Sequence, residues 1–389
     1  MNKEYRAVLE FIKTSITNKA SNLEEDFDFA KVAKIAQKHG IASMVYYGAK
    51  GSGFEGDSLS MAVLFKETCI SLAVYESQKY VFGELYRIFE ENQIDYMPVK
   101  GLLLRDFYPK PEMRYMCDAD ILIKLEQYPK IRELLSNAGF TEVAESNHEL
   151  IWKKSNVSIE LHKLLIPSYN KDYYSYYGDG WKLGTIRNGS RISMTDEDCF
   201  IYVFTHFAKH YRDMGIGLRN MVDIWIFDKN VSLDYDYLKN ELTSLQLYDF
   251  YVNVMNTLKY WFEDGESNDI TEFITDYIFK SGMYGTLDNH IISMSLKDTK
   301  GNQSIFKIRF KKIMRSIFPT VKDMYTLFPI LNKVSFLLPV MWFYFTVKRI
   351  FTKGKFKKFK HDVQMIDSQK IDKYQEALNF VGLDFNFKE

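Results

Sequence analysis

The chain reads as an α+β protein in which a strand-bearing middle lies between two helical regions. Three observations predict this class. Apolar positions fall at helical spacing through residues 1–92, short strand patterns and turns take over across 94–165, and helical spacing returns from Thr195.

The elements follow in order. Ala33, Ala36, Ile41, Met44 and Val45 sit near helical spacing, with Gly40 as a break. A long helix is predicted from about Ser60 to Glu91, burying Val81, Leu85, Ile88 and Phe89. Ile94–Val99 and Asp118–Ile123 read as strands, with a short helix at Leu102–Phe107 between them. Tyr128–Gly139 is a helix closed by glycine. Glu149–Lys154 and Val157–Leu164 form a hairpin around Ser155-Asn156. In its second arm Val157, Ile159 and Leu161 alternate with Ser158, Glu160 and His162, so Glu160 and His162 share the polar face. Residues 166–190, rich in Tyr, Gly and Asp, read as irregular. Thr195 and Asp198 have capping-box spacing, with Asp in place of the usual Glu or Gln, and open a helix to Tyr211. The expected division is a helical region at 1–92, a core at 93–165, a C-terminal helical domain at 166–300 and a basic, aromatic tail at 301–389.

Composition narrows the class. Of 389 residues 46% are hydrophobic, enough for real cores and too many for a disordered chain. The formal net charge is zero, so no global field draws the chain to nucleic acid. Cys69, Cys117 and Cys199 are scattered, which argues against a cysteine-based zinc site and fits a reducing compartment. The first twenty residues mix acidic and basic groups without a continuous apolar core, so no signal peptide is expected and the expected location is cytoplasmic. Val334–Val347 is apolar but 14 residues long and contains Pro339. About 20 residues are needed to cross a bilayer, which leaves an interfacial or a buried helix.

The chemistry concentrates between Tyr96 and Lys124, YMPVKGLLLRDFYPKPEMRYMCDADILIK. A strand ends at Lys100-Gly101, and a second strand carries Asp118 and Asp120. Two residues apart on a strand, these carboxylates share one face, about 7 Å apart along the chain. Side by side they repel unless a cation lies between them, and Mg²⁺ suits carboxylate oxygens together with substrate phosphates. Gly101 lets a phosphate chain approach the backbone at a helix start, where anions are favoured. Glu160, on the polar face of a strand expected beside the Asp118 strand, is the candidate third carboxylate. Lys100 and Arg114 are the available cations for a triphosphate, Arg suiting bidentate contact. The reaction this proposes is metal-assisted transfer from a nucleoside triphosphate (NTP).

The segments V-K-G-L-L-L, Tyr108-Pro109, Arg114, D-A-D-I-L-I and I-E-L-H resemble the DNA polymerase β-like nucleotidyltransferase superfamily. Within it, the chain resembles bacterial nucleotidyltransferases with Lys-Gly where most members carry Gly-Ser or Gly-Gly. His39-Gly40, His206, His210, Arg219, Asp223 and Phe318-Pro319 fit the same likeness, which spans about residues 30 to 340. The resemblance implies a small mixed sheet flanked by helices, a triphosphate donor and Mg²⁺ (or Mn²⁺) on Asp118, Asp120 and Glu160. Catalytic roles follow for the same three residues, and nucleotide binding for Lys100, Gly101 and Arg114. The serine hydroxyl of the usual motif is missing here, and Lys100 is the substitute. The acceptor is left open among a small hydroxylated molecule, a carbohydrate intermediate, a protein and tRNA. The competing class is a nucleotide- or partner-binding module on the same fold that no longer turns over.

Other features are read with two meanings. His206 and His210 share a helix face, but HFAKH lacks the glutamate of a zinc peptidase. The pair either packs in a core or, with His162, lines the acceptor side. Arg219 and Asp223, four apart, form a helix ion pair on spacing alone. KIRFKKIMR (307–315) and KRIFTKGKFKKFK (348–360) are either solvated faces with packed phenylalanines or contacts for a membrane surface or a large anionic partner. No signature of sequence-specific DNA binding is present.

Overall fold

A computed structural model describes the chain except residues 20–22, 24–25, 147, 169, 284, 300–309, 311–312, 315–317, 353–360, 362–363 and 385–389. It has two compact units. One comprises 1–211, 215–285 and the C-terminal residues from 381, and the other 212–214 and 286–380.

The first unit opens with four helices, α1 (Lys3–Thr17), α2 (Phe29–His39), α3 (Ala42–Gly51) and α4 (Ser58–Glu91). Asn2, Asp28 and Asp57 cap α1, α2 and α4 through their side chains, and Gly40 ends α2 in the left-handed region at φ 65°. By length and apolarity α4 is long enough to cross a bilayer, and its most apolar 18-residue window is 22% buried, while Val81, Phe82, Leu85 and Phe89 near its C-terminal end lie in the core of this unit.

Seven strands follow, β1 (Tyr96–Pro98), β2 (Asp118–Ile123), β3 (Thr141–Glu145), β4 (Glu149–Lys154), β5 (Val157–His162), β6 (Ile186–Asn188) and β7 (Arg191–Ser193). They form one mixed sheet in the order β3-β4-β5-β2-β1-β7-β6, with β2 parallel to β5 and β1 parallel to β7. Between β1 and β2 lie α5 (Gly101–Leu104) and two 3₁₀ turns. Helix α6 (Tyr128–Asn137) precedes β3. Ala119, Ile121, Ile123, Val157, Ile159 and Leu161 turn to one face and pack with α4 and α6. Period-2 alternation therefore forces Asp118, Asp120, Glu160 and His162 onto the other.

The structure corrects three local readings. The helix expected at Leu102–Phe107 is one α-turn, Gly101–Leu104, continued as 3₁₀ at Arg105–Phe107. The stretch read as irregular contains α7 (Lys171–Tyr177) and strand β6, which with β7 joins the sheet. The strand at Ile94–Val99 is shortened to Tyr96–Pro98.

Helices α8 (Asp196–Asp213), α9 (Leu218–Asn230), α10 (Tyr235–Ser244), α11 (Tyr248–Phe262) and α12 (Asp269–Ser281) follow. Thr195 Oγ1 accepts from Asp198 N–H, the forward half of the expected capping box. His39 ties α2 to two of these helices. Its Nε2 donates to the Phe279 carbonyl at 3.2 Å and its Nδ1 accepts from the Leu218 N–H at 3.2 Å. Both partners fix the neutral ring, because a proton on Nδ1 would face another N–H. Burial, the largest influence, pushes His39 down to about 4 from 6.5. The unfolded chain then binds this proton below pH 6.5 while the folded chain does not. The stability is complete above that pH and is lost as pH falls through about 4, by an amount on the order of 3 kcal/mol. Urea midpoints of wild type and His39→Gln across this window test it. Equal pH slopes for the two proteins would remove His39 from the account.

The second unit contains α13 (Leu287–Thr299), α14 (Val321–Leu327), α15 (Leu338–Phe351) and α16 (Ser368–Phe380) among its described residues. The basic segment 307–315 falls largely outside the described residues, as does 353–360 of the second basic segment.

Candidate active site

The β2–β5 register builds the site. Asp118 pairs with Ser158, Asp120 with Glu160, and Leu122 with His162. Parallel neighbours in register put their side chains on one face, so Asp120 stands beside Glu160 and Asp118 lies two residues along the same strand. These groups line a cleft of about 340 Å³ with Lys100, Gly101 and, from α8, His206 and His210.

Asp120 is the hub. Its Oδ1 accepts from Lys100 Nζ at 2.6 Å and from His162 Nε2 at 2.7 Å, and His162 Nε2 also lies 3.6 Å from Glu160 Oε2. Burial alone would raise the Asp120 carboxyl. The Lys100 ammonium and the His162 hydrogen bond outweigh it and hold Asp120 well below the usual carboxylate range. Asp118 goes the other way. Burial first, then the charges of Asp120 and Glu160, push it up to about 6. For His162 burial and Lys100 oppose the charged ring, but the hydrogen bonds to Asp120 and Glu160 prevail and raise it.

Asp120, Glu160 and His162 each offer one ligand atom, all within 4.8 Å of one another. His162 replaces Asp118 in this closest trio. Donor chemistry decides how a cation fits. A hard dication prefers the three carboxylates, whereas imidazole is acceptable to Mn²⁺ more than to Mg²⁺. Asp118, held up by two neighbouring anions, is the group whose charge a cation would restore.

Lys100 takes φ 52°, a left-handed conformation that a side chain disfavours, and this strain aims its ammonium at Asp120. Gly101 has no room for a side chain. A Cβ there would lie 2.6 Å from the Met116 sulfur and 2.7 Å from Arg114 Nη1. The single turn of α5 carries only a small dipole, so side chains supply most of the positive charge here.

Arg114 lines the cleft but is engaged. Its Nε and Nη2 donate to the two oxygens of Asp223 at 2.8 Å each, and Tyr108 Oη donates to Asp223 Oδ1 at 2.8 Å. This corrects the Arg219–Asp223 pair expected from helical spacing, because tertiary packing brings Arg114 to Asp223 first. Arg219 instead donates from Nη1 to the Tyr115 carbonyl at 2.7 Å, while its buried Nε has no hydrogen-bond partner among the described residues. It also lines the cleft and acts electrostatically on Asp118. Nothing in the sequence beyond a cation at a helix start pointed to this placement.

His206 and His210 both line the cleft, their Nε2 atoms 3.1 Å apart. Burial, then Lys100 and His210, push His206 well below its ordinary value, so it is neutral and shares one hydrogen with its neighbour. His148, just before β4, and Lys209, on α8, were not singled out from the sequence and line the same cleft.

A mixed sheet that sets carboxylates side by side on parallel strands, next to a Lys-Gly turn, defines a nucleotidyltransferase, an enzyme that transfers phosphorus-containing groups. Residues 25–263 match the family described as uncharacterised nucleotidyltransferase, and the chain belongs to that family. No curated protein and no solved structure matches the chain.

Proposed function

We propose that the enzyme moves a nucleoside monophosphate from an NTP to a hydroxyl-bearing acceptor, with Mg²⁺ or Mn²⁺ held by Asp118, Asp120 and Glu160. The observation that supports this most is the register that sets Asp120 against Glu160 with Asp118 on the same face. A dication there would neutralise charge on the attacking and leaving oxygens. Lys100 and Arg219 attract the triphosphate, and Gly101 lets it approach the backbone. Arg114, held by Asp223, backs the Gly101 turn. Glu160 takes the acceptor's hydroxyl proton. The acceptor oxygen bonds to the α-phosphorus as the α–β bridging bond breaks and pyrophosphate leaves. His206, His210 and His162 orient the acceptor, since a neutral imidazole pair can both donate to and accept from a hydroxyl.

Incubation with each α-labelled NTP, Mg²⁺ or Mn²⁺ and a cell extract, followed by identification of the labelled product, tests this reading. Asp118→Asn is expected to lower transfer on the order of a hundredfold or more. Its metal-free melting temperature should hold or rise slightly, because the substitution removes a carboxylate that Asp120 and Glu160 repel. Undiminished transfer by Asp118→Asn/Asp120→Asn, or in excess chelator, would sink the mechanism. Failure to bind any NTP with Mg²⁺ present would favour a non-catalytic module on this fold.

A further inference from the structure

The second unit carries a charge asymmetry that nucleotidyl transfer does not use. From Lys307 to Lys360 the sequence holds fourteen Lys and Arg against one acidic residue, Asp323, in a chain whose formal net charge is zero. Inside this cationic stretch, Val334 to Val347 contains no charged residue.

Helix α15 shows how that apolar run is presented. Pro339 opens it, at a position where its missing N–H costs nothing. One side of the helix is anchored within the unit. Trp342 Nε1 donates to the Pro319 carbonyl at 2.9 Å, its ring meets Phe318 edge-on, and Phe345 packs near Phe328. The other side is bare. Val340 is 59% exposed and Phe343 74%, three apart on one helix face, and Phe336, 79% exposed, stands in the 3₁₀ turn Ser335–Leu337 that leads into the helix. Lys348 stands one turn beyond the half-exposed Tyr344, its ammonium 5.8 Å from that ring's centroid.

We propose that this unit docks on an anionic lipid bilayer, with Phe336, Val340 and Phe343 entering the headgroup–acyl boundary and the flanking Lys and Arg meeting acidic headgroups. At about 1.5 Å per residue the 14-residue helix is roughly 21 Å long, too short for a hydrocarbon core of about 30 Å, so it lies in the interface. Stable peripheral binding takes two signals, and the unit supplies both an apolar stripe and a polybasic run. Single-stranded nucleic acid favours aromatics interleaved with cations along a groove. The uncharged stretch of exposed phenylalanine and valine fits acyl chains better.

Flotation of the full chain with phosphatidylcholine vesicles, and with vesicles that also contain phosphatidylglycerol, tests the proposal. The wild type should float only with the anionic vesicles, and less so at high salt. Phe336→Asp/Phe343→Asp should bind at least roughly tenfold more weakly. Lys355→Glu/Lys357→Glu/Lys358→Glu should bind roughly a hundredfold more weakly without touching the apolar stripe. Both variants should keep the wild-type melting temperature and nucleotidyl transfer. The proposal fails if the wild type floats with neither vesicle or equally with both, if it binds single-stranded RNA but no vesicle, or if the phenylalanine variant floats like wild type.

Discussion

Asp120→Asn is expected to remove transfer and, unlike Asp118→Asn, to weaken the fold. The two aspartates share a strand face but have opposite surroundings. Asp120 is the counter-ion of a nearly buried ammonium and accepts from His162 on the same oxygen. An amide keeps the shape but leaves the Lys100 charge unbalanced. Breaking a buried pair by removing one partner costs about 3–5 kcal/mol. Activity should fall on the order of a hundredfold or more, since a hard anionic ligand is lost beside Glu160. The two effects separate in the double variant Lys100→Met/Asp120→Asn, which should regain stability but not transfer. Denaturation midpoints and labelled-product yield measure each. Wild-type stability in Asp120→Asn would mean that the Lys100–Asp120 contact contributes little.

Asp223→Ala is expected to destabilise the first unit by a similar amount, about 3–5 kcal/mol, although Asp223 has no assigned part in the chemistry. It strands a buried guanidinium that was held at two points, and a buried Tyr108 hydroxyl. Arg114 Nη1 also borders the space that a Cβ at Gly101 would fill, so a displaced guanidinium intrudes on the Lys-Gly turn and transfer should fall as well. Arg114→Met/Asp223→Leu should recover much of the stability, because an apolar pair removes both buried charges together. A double variant as unstable as the single one would show that the pair is not the source of the loss.

Much of the site was legible because strand alternation is strict. Ala119 and Ile121 on one side require Asp118 and Asp120 on the other, and the same holds for Ile159 and Leu161 against Glu160 and His162. Helix α4 was legible from Val81, Leu85, Ile88 and Phe89. Strands β6 and β7 escaped because three residues cannot display a period, although Asn188-Gly189, with Gly189 at φ 61°, was a hairpin signal. The ion pair of Asp223 escaped for another reason. Helical spacing names Arg219 as its neighbour, but only packing brings Arg114 across 109 residues.

The sequence by itself determined the α+β class, the carboxylate face and the Lys-Gly turn, because each follows from local periodicity or backbone conformation. Tertiary structure alone decided how the charges divide. It made Asp120 an ionised hub for Lys100 and His162, left Asp118 pushed up to about 6, and committed Arg114 to Asp223 while Arg219 lines the cleft. The physical reason is that electrostatic state depends on burial and on which opposite charge is nearest in space. Neither quantity is a property of spacing along the chain.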